Sequence, residues 1–413
     1  MLMKGKEHPK GSSLTPGKIA WRRFRKNRFS LAGGIFLVLL FLTALLGYLI
    51  TPDATPNANA QHLALTTQKP GFEVDMMKVR RNKESEKKSW LRSMLTGKDN
   101  PFETIPFNDY RFSDQRLIIE EYARYEKEEK FIRQVHPVDV AFAIDTEEPV
   151  TYRNGTFHFT DVTGHKKSIA YEQLRKKIAS EHITHQRFLL GTDRFGRDLL
   201  SRLIIGARVS LAVGFISVFI SLVIGLTLGS TAGYFRGRAD DLIMWLINVV
   251  WSIPTLLMVI AITLVIGKGF WQIFIAVGLT MWVEVARVVR GQIISVREKE
   301  FVEAARAMGL PPARIITRHI LPNVINPVII ISAANFASAI LIEAGLSFLG
   351  IGVQPPMPSW GTMIKQHYGY ILVDMGYLAF LPGAAIMLTV LSFTLIGNGL
   401  RDALDTRTNI RIT

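Results

Sequence analysis

Few side chains in this sequence stand at spacings that support bond-making chemistry. The nearest approach to a phosphate-binding loop is Gly11-Ser12-Ser13-Leu14-Thr15-Pro16-Gly17-Lys18-Ile19. A working loop has four residues between its glycines and a Ser or Thr after the lysine to hold magnesium. Here the gap is one residue too long and Ile19 fills the magnesium position, so no nucleotide site is expected on this chain. No nucleophile elbow, no His-Glu-x-x-His helix and no paired-carboxylate pattern is present. With no cysteine, disulfides, thiolate chemistry and cysteine-zinc sites are excluded. His165, His182 and His185 raise the question of a metal, but scattered histidines in a polar segment read as solvated surface residues. What remains are ionisable groups in apolar runs, where each is costly. Glu284, Arg287 and Arg290 are expected at the inner edge of a span. Glu343 is expected near the outer end of another, and with Gln354 and Trp360 it is a candidate for the lining or outer gate of a pathway.

One polar segment suits mechanical rather than covalent work. Residues 303–312 read Glu-Ala-Ala-Arg-Ala-Met-Gly-Leu-Pro-Pro, and the stretch closes on Leu321-Pro322 between two long apolar runs. Glu303, Ala304 and Ala305 would present a small, low-relief helical face able to enter a partner's groove. Gly309 permits a left-handed helix end, Pro312 can open a second short helix, and the Leu-Pro pair reads as a stop.

Those segments must be carried by membrane-spanning helices. The 413 residues are 48% hydrophobic yet 20% charged, with a mean hydropathy of +0.22, a mixture of polar and strongly apolar stretches. Apolar runs cover 30–50, 207–234, 242–267, 270–285, 324–342 and 378–395, most near the length of about 20 residues that spans a bilayer. Pro254 and Gly383 mark kinks or close contacts within them. The net charge of +15 is unevenly placed. Basic residues crowd the tail before the first run, then recur at Arg236, Arg238, Arg287, Arg290, Arg297, Lys299, Arg401, Arg407 and Arg411, while 347–377 carries only Lys365. With six spans these clusters fall on one side, the cytoplasmic one by the positive-inside rule. Both termini and the 303–322 segment are then inside, and the charge needs no nucleic acid to explain it. The first run, with its basic flank and later Ala58-Asn59-Ala60, is expected to be an uncleaved anchor.

Between the first two runs lies a polar insert, 51–188, of domain size. Residues 52–60 read as a linker, 78–98 as a charged patch and 117–135 as a solvated helix. Asn154-Gly155 signals a type I′ hairpin, and Tyr171, Leu174 and Ile178 mark a helix face. The insert is expected to be α+β. Residues 190–211 suit a surface helix, with Asp193 and Asp198 as caps, leading into the second span.

The 303–322 segment resembles the coupling loop of ABC-importer permeases: Glu-Ala-Ala, three residues, Gly, nine residues, then Ile-x-Leu-Pro. His319 stands where isoleucine is usual. Residues 190–211, 343–361 and 388–405 resemble the dipeptide/oligopeptide/nickel branch, in particular the second of its two permeases. Thr394, Asn398 and Thr406 depart from that pattern, and the insert is larger than most members carry. The resemblance implies an all-α polytopic protein of the type I ABC importer permease fold, with six spans and an extracytoplasmic insert. It implies a division into a basic tail (1–28), first helix (29–50), insert (51–188), permease core (189–400, coupling loop 297–322) and cytoplasmic tail (401–413). It further implies a non-enzymatic subunit in the bacterial cytoplasmic (inner) membrane, paired with a second permease. Two ABC ATPase subunits would hold Mg-ATP, and a substrate-binding protein would deliver solute from outside. Glu303, Ala304, Ala305, Gly309, Leu321 and Pro322 would couple to the ATPases by contact. Di- or oligopeptides are the implied cargo, with nickel or another small solute, or a receptor working through the insert, as alternatives.

Overall fold

The computed structural model describes residues 16–83, 89–124, 131–267 and 269–404. Most of the basic tail and of the glycine-lysine stretch at 11–19, part of the charged patch, residues 125–130 of the expected helix, Lys268, and the tail from Asp405 with Arg407 and Arg411 lie outside the described residues.

The chain begins with α1 (Pro16–Lys26) and α2 (Arg28–Ile50), then enters the insert. There β1 (Phe72–Arg80), α3 (Trp90–Thr96), β2 (Phe102–Ser113), β3 (Arg116–Glu121) and β4 (Ile132–Val135) precede α4 (Pro137–Ala141). A hairpin and its neighbour, β5 (Thr151–Arg153), β6 (Thr156–Thr160) and β7 (Lys166–Ala170), lead to α5 (Tyr171–Glu181) and β8 (Ile183–Phe188). Helices follow: α6 (Leu199–Phe235), α7 (Gly237–Trp251), α8 (Thr255–Ile266), α9 (Phe270–Arg297), α10 (Glu300–Ala307), α11 (Pro312–Arg314), α12 (Leu321–Leu349), α13 (Trp360–His367) and α14 (Tyr377–Leu404).

Among the described residues five helical stretches are long and apolar enough to cross a bilayer: α2, α6, α9, Pro312–Leu349 and α14. The run at 242–267 is not straight. It is split into α7 and α8, which meet at 92° and make a sixth span if taken together. The break falls at Ser252–Pro254, where proline lacks the N–H a continuing helix needs and biases its predecessor away from helical angles.

The chain forms two compact units. The first comprises Met1–Leu40, Ala212–Glu343 and Ile386–Thr413. Its central contact is α6 on α9. A Cβ at Gly225 would lie 2.5 Å from that of Val285, one at Gly229 2.5 Å from the Ala286 carbonyl, and one at Gly233 2.9 Å from the Arg290 carbonyl. Four-residue spacing places the three glycines on one stripe, where lipid-embedded helices approach most closely. Arg290 Nε and Nη2 then donate to both oxygens of Asp240 at 2.5 and 2.6 Å, tying α9 to α7. The Arg287 guanidinium lies 3.6 Å from the Trp251 ring centroid.

The second unit comprises Phe41–Leu211 and Ala344–Ala385. It contains an antiparallel sheet ordered β4-β3-β2-β1-β8 and a three-stranded sheet β5-β6-β7, closed over a core that includes Met77, Ile105, Leu117, Ile119, Phe157, Leu174 and Ile178. The hairpin and the helix face at 174 and 178 match expectation: Asn154 and Gly155 have φ of 49° and 76°, and Leu174 and Ile178 are buried. Three readings are corrected. The segment 117–135 holds strands, paired Leu117 to Val135, with the alternating burial of a strand: Leu117 and Ile119 are buried, Ile118 between them is half-buried and Arg116 is exposed. Residues 52–60 are no loose linker. Asp53 is buried, and its carboxylate accepts from the amides of Thr55 and Ala60. Residues 189–198 form turns rather than a surface helix, since Asp193 folds back to accept from the amides of Phe195 and Arg197. Asp198 does cap α6, accepting from Ser201 N at 2.7 Å.

Gly229→Leu should separate α6 from α9, since the added atoms meet backbone that cannot yield. The expected loss is about 3 kcal/mol, read as a lowered midpoint of thermal unfolding in detergent, whereas Gly291→Leu, whose Cβ meets open space, should leave it near the wild-type value.

Candidate functional site

The coupling segment is built on the end of α9. After a break at Glu298, α10 turns its residues at three-residue spacing: Val302 and Ala305 are buried in a cluster with Val289, Ile293, Ile315, Ile320 and Val324. Glu303 and Ala304 are exposed, flanked by exposed Phe301 and Met308. Ala305 was expected on the presented face with Glu303 and Ala304, and the structure corrects this: it is buried. Helical geometry turns it about 200° from Glu303, into its own chain's core.

Gly309 ends α10 as expected, with φ of +74°. Its N–H donates to the Arg306 carbonyl at 2.9 Å and Leu310 N–H reaches back to Ala305 at 3.2 Å, a Schellman closure. Pro312 opens α11. A wider π turn, Ile315–Ile320, follows, with Leu321 N–H donating to the Ile316 carbonyl. Leu321-Pro322 is thus not a stop but the start of α12. The wide turn just before Pro322 suits a ring that would crowd the carbonyl four residues back in a regular helix. Leu321 packs against the cluster and Pro322 is exposed. His319 carries its departure from the motif on a half-buried position, and its carbonyl accepts from Asn323 Nδ2 at 2.7 Å. Arg297 and Arg306 both stack over Tyr234, at 5.9 and 5.2 Å, bracing α10 against α6.

The candidates for a pathway separate. Glu343 is fully buried on α12. Trp360 is only 1% exposed. Its Nε1–H donates to the Leu203 carbonyl at 3.0 Å and its ring faces Gly206, so it anchors α13 on α6 and offers no surface to a solute. Gln354 donates to the Gly352 carbonyl at 2.8 Å, bracing its own loop. Glu284 is not at the edge of its span. It lies near the midpoint of α9, six residues and about 9 Å of rise from the paired Arg290.

Sequence reasoning missed a buried ionic network in the second unit. Arg197 pairs with Asp193 at 2.6 Å and donates to Asn59 and Gln366, while Arg202 approaches the same carboxylate at 3.6 Å. Burial raises the pKa of Asp198. His367, fully buried on α13, donates from Nδ1 to the Met363 carbonyl at 2.7 Å. Its Nε2 has no partner among the described residues, and burial lowers its pKa to about 4. The spacing Asp193-x3-Arg197 was visible, but the burial that makes it a network was not. His182 is also corrected: it is buried, with Nδ1 2.8 Å from the Lys78 carbonyl, and burial lowers its pKa. His185 is exposed as expected, and Asp75 and Glu73 raise its pKa. Among the described residues no group of three metal-ligating side chains converges.

Comparison with known proteins adds identity to this geometry. The family described as binding-protein-dependent transport system inner membrane component matches residues 225–410. The N-terminal TM domain of oligopeptide transport permease C matches residues 15–70. The glutathione transport system permease protein GsiD of Pectobacterium atrosepticum is 39% identical over 235 residues, 57% of this chain and 76% of that protein. The dipeptide transport system permease protein DppC of Alkalihalophilus pseudofirmus is 43% identical over 215 residues, 52% of this chain and 70% of its own length. Among solved structures, an inward-facing MetNI methionine ABC transporter aligns with 18% identity and a TM-score of 0.42, covering 50% of this chain and 98% of that one.

The His367 environment carries a pH dependence. A folded-state pKa of about 4, below the ordinary 6.5, means the unfolded chain takes up the proton first as pH falls. Stability from this group is full above 6.5 and declines towards pH 4, by about 1.4 kcal/mol per pH unit at most. His367→Gln should flatten that acid limb in melts between pH 6.5 and 4, and an unchanged limb would place the titrating group elsewhere.

Proposed function

We infer the function from kinship: this chain belongs to the family of binding-protein-dependent transport system inner membrane components. It is the membrane-spanning permease subunit of an ABC peptide importer. Relatives named for dipeptides, oligopeptides and glutathione favour a peptide cargo over nickel. The chain works in the bacterial inner membrane with a second permease subunit, two ABC ATPases and an extracytoplasmic substrate-binding protein. Mg-ATP is bound and hydrolysed on the ATPases, and this chain does no chemistry of its own. Both termini and α10 lie in the cytoplasm. The insert faces outward, the side from which a binding protein delivers.

The observation that carries the coupling role is the two-sided construction of α10. Its inward residues, Val302 and Ala305, join the cluster shared by α9 and α12, and its outward residues, Glu303 and Ala304, are exposed. A push on Glu303 and Ala304 by a closing ATPase is passed to the helices through Ala305, the Gly309 closure and Leu321. Pro322, exposed at the start of α12, completes the contact face. Alternating access follows when these helices move as one body, so that solute entering from outside is released inside.

Glu303→Lys reverses a charge on an exposed face, and Gly309→Trp puts a bulky residue at positive φ, a cost of about 1–2 kcal/mol. Each should lower peptide uptake at least tenfold while the protein still inserts in the membrane. Unchanged uptake with the ATPases still bound would end the coupling assignment. For orientation, reporters fused after Arg28 and after Leu404 should report the cytoplasm, and one placed in the Asn154-Gly155 turn the outside. A cytoplasmic insert would invert the topology.

A further inference from the structure

A cavity of about 320 Å³ opens in the first unit where α7 breaks into α8, against α9 and α12. Its lining includes Trp251, Thr255, Met258, Met281, Glu284 and Ser338. The volume is at the lower end of the range for small-molecule sites, about 300–1,000 Å³. Broken helices at mid-depth are also where transporters hold their solutes.

Glu284 gives this cavity its character. It is exposed to the cavity side, and its carboxylate has no hydrogen bond or ion pair among the described residues. Of the neighbouring cations on α9, Arg290 is bidentate on Asp240, and Arg287 is turned onto the Trp251 ring. An anion about 9 Å along the helix from the last ion pair, within an apolar span, calls for a cation or water facing it. Around it, the Trp251 indole and the Met258 and Met281 thioethers form an adaptable apolar wall, and Arg287, one helical turn from Glu284 and not ion-paired with it among the described residues, holds the indole by its ring contact.

We propose that this cavity is a solute subsite in which Glu284 receives the α-ammonium group of a transported peptide and the Trp251–Met258–Met281 wall receives its first side chain. The proposal rests on the peptide-import reading above and deepens it. Peptides of differing side chains share one cation, the ammonium terminus, so a single carboxylate beside a plastic wall serves many sequences.

The test uses the full-length chain in lipid nanodiscs, without binding protein, and equilibrium binding of labelled Ala-Phe and N-acetyl-Ala-Phe. The wild type should bind Ala-Phe at least tenfold more tightly than the acetylated form. Glu284→Gln should bind both at the acetylated level, with acetylated binding unchanged as the control for folding. Retention of the amine preference in Glu284→Gln, or equal weakening of both ligands, would overturn the subsite. Unchanged binding accompanied by loss of a co-purifying permease would overturn it in favour of a subunit contact at Glu284. Uptake of Ala-Phe by cells that loses its dependence on this chain would refute the import reading itself, whereas intact uptake with no amine preference in nanodiscs removes only the subsite.

Discussion

Inside hydrocarbon, helices gain nothing by hiding apolar side chains from one another, so association depends on how closely backbones can approach. The Gly225–Gly229–Gly233 stripe of α6 against α9 is where this chain meets that constraint. Once α9 is seated there, the rest of the first unit follows from its length. One part of α9 carries Glu284 into the cavity at the α7–α8 break. Six residues further on, Arg290 captures Asp240, and the C-terminal end hands over to α10. A displacement of α6 on α9 would therefore move the cavity wall and the coupling helix together. That linkage is what a machine driven from one end needs.

The second unit solves the opposite problem. Its loops lie among polar groups that water would otherwise satisfy, and it closes them with charge. Asp193 sits between Arg197 and Arg202, Asp53 holds the turn at 53–60, and Trp360 bonds the Leu203 carbonyl. Buried pairs of this kind add little net stability, because desolvation offsets much of their attraction. They are intolerant of partial loss, however, and so specify one arrangement of the 51–62, 191–203 and 360–367 segments. The buried, neutral His367 belongs to the same logic: among the described residues its Nε2 has no acceptor for a second proton, so the ring stays uncharged at neutral pH.

Much of this was legible beforehand, and the failures share a physical cause. The length of the apolar runs located the spans, and Asn154-Gly155, Asp198 and Gly309 announced their turns and caps through local backbone chemistry. Dense charge misled in 117–135, where it argued for a solvated helix, while Leu117 and Ile119, two apart, share the buried face of a strand. Pro254 was read as a kink and is a 92° break, because sequence shows where a helix is weak but not how far neighbours let it turn. Trp360 and Gln354 looked like a gate because they sit in a distinctive loop, and both proved to be bonded to backbone. The glycine stripe at 225, 229 and 233 was readable by its spacing and was passed over. No sequence signal announced that Glu284 would lie beside a cavity.

The coupling helix shows why a short motif resists reading as a single surface. A contact that transmits force must be smooth and hydrated on the partner's side and fused to its own chain on the other. On one helix those demands fall on adjacent residues, since each step turns the face by about 100°. Glu303 and Ala304 answer to the partner, while Val302 and Ala305 answer to Ile315, Ile320 and Val324. Alanine is suited to both tasks for different reasons: at 304 it leaves room for another chain, and at 305 it lets α10 sit close on its own core. The same residue type at neighbouring positions thus carries two separate constraints. A substitution at 305 acts through the fold, and one at 304 acts through the contact.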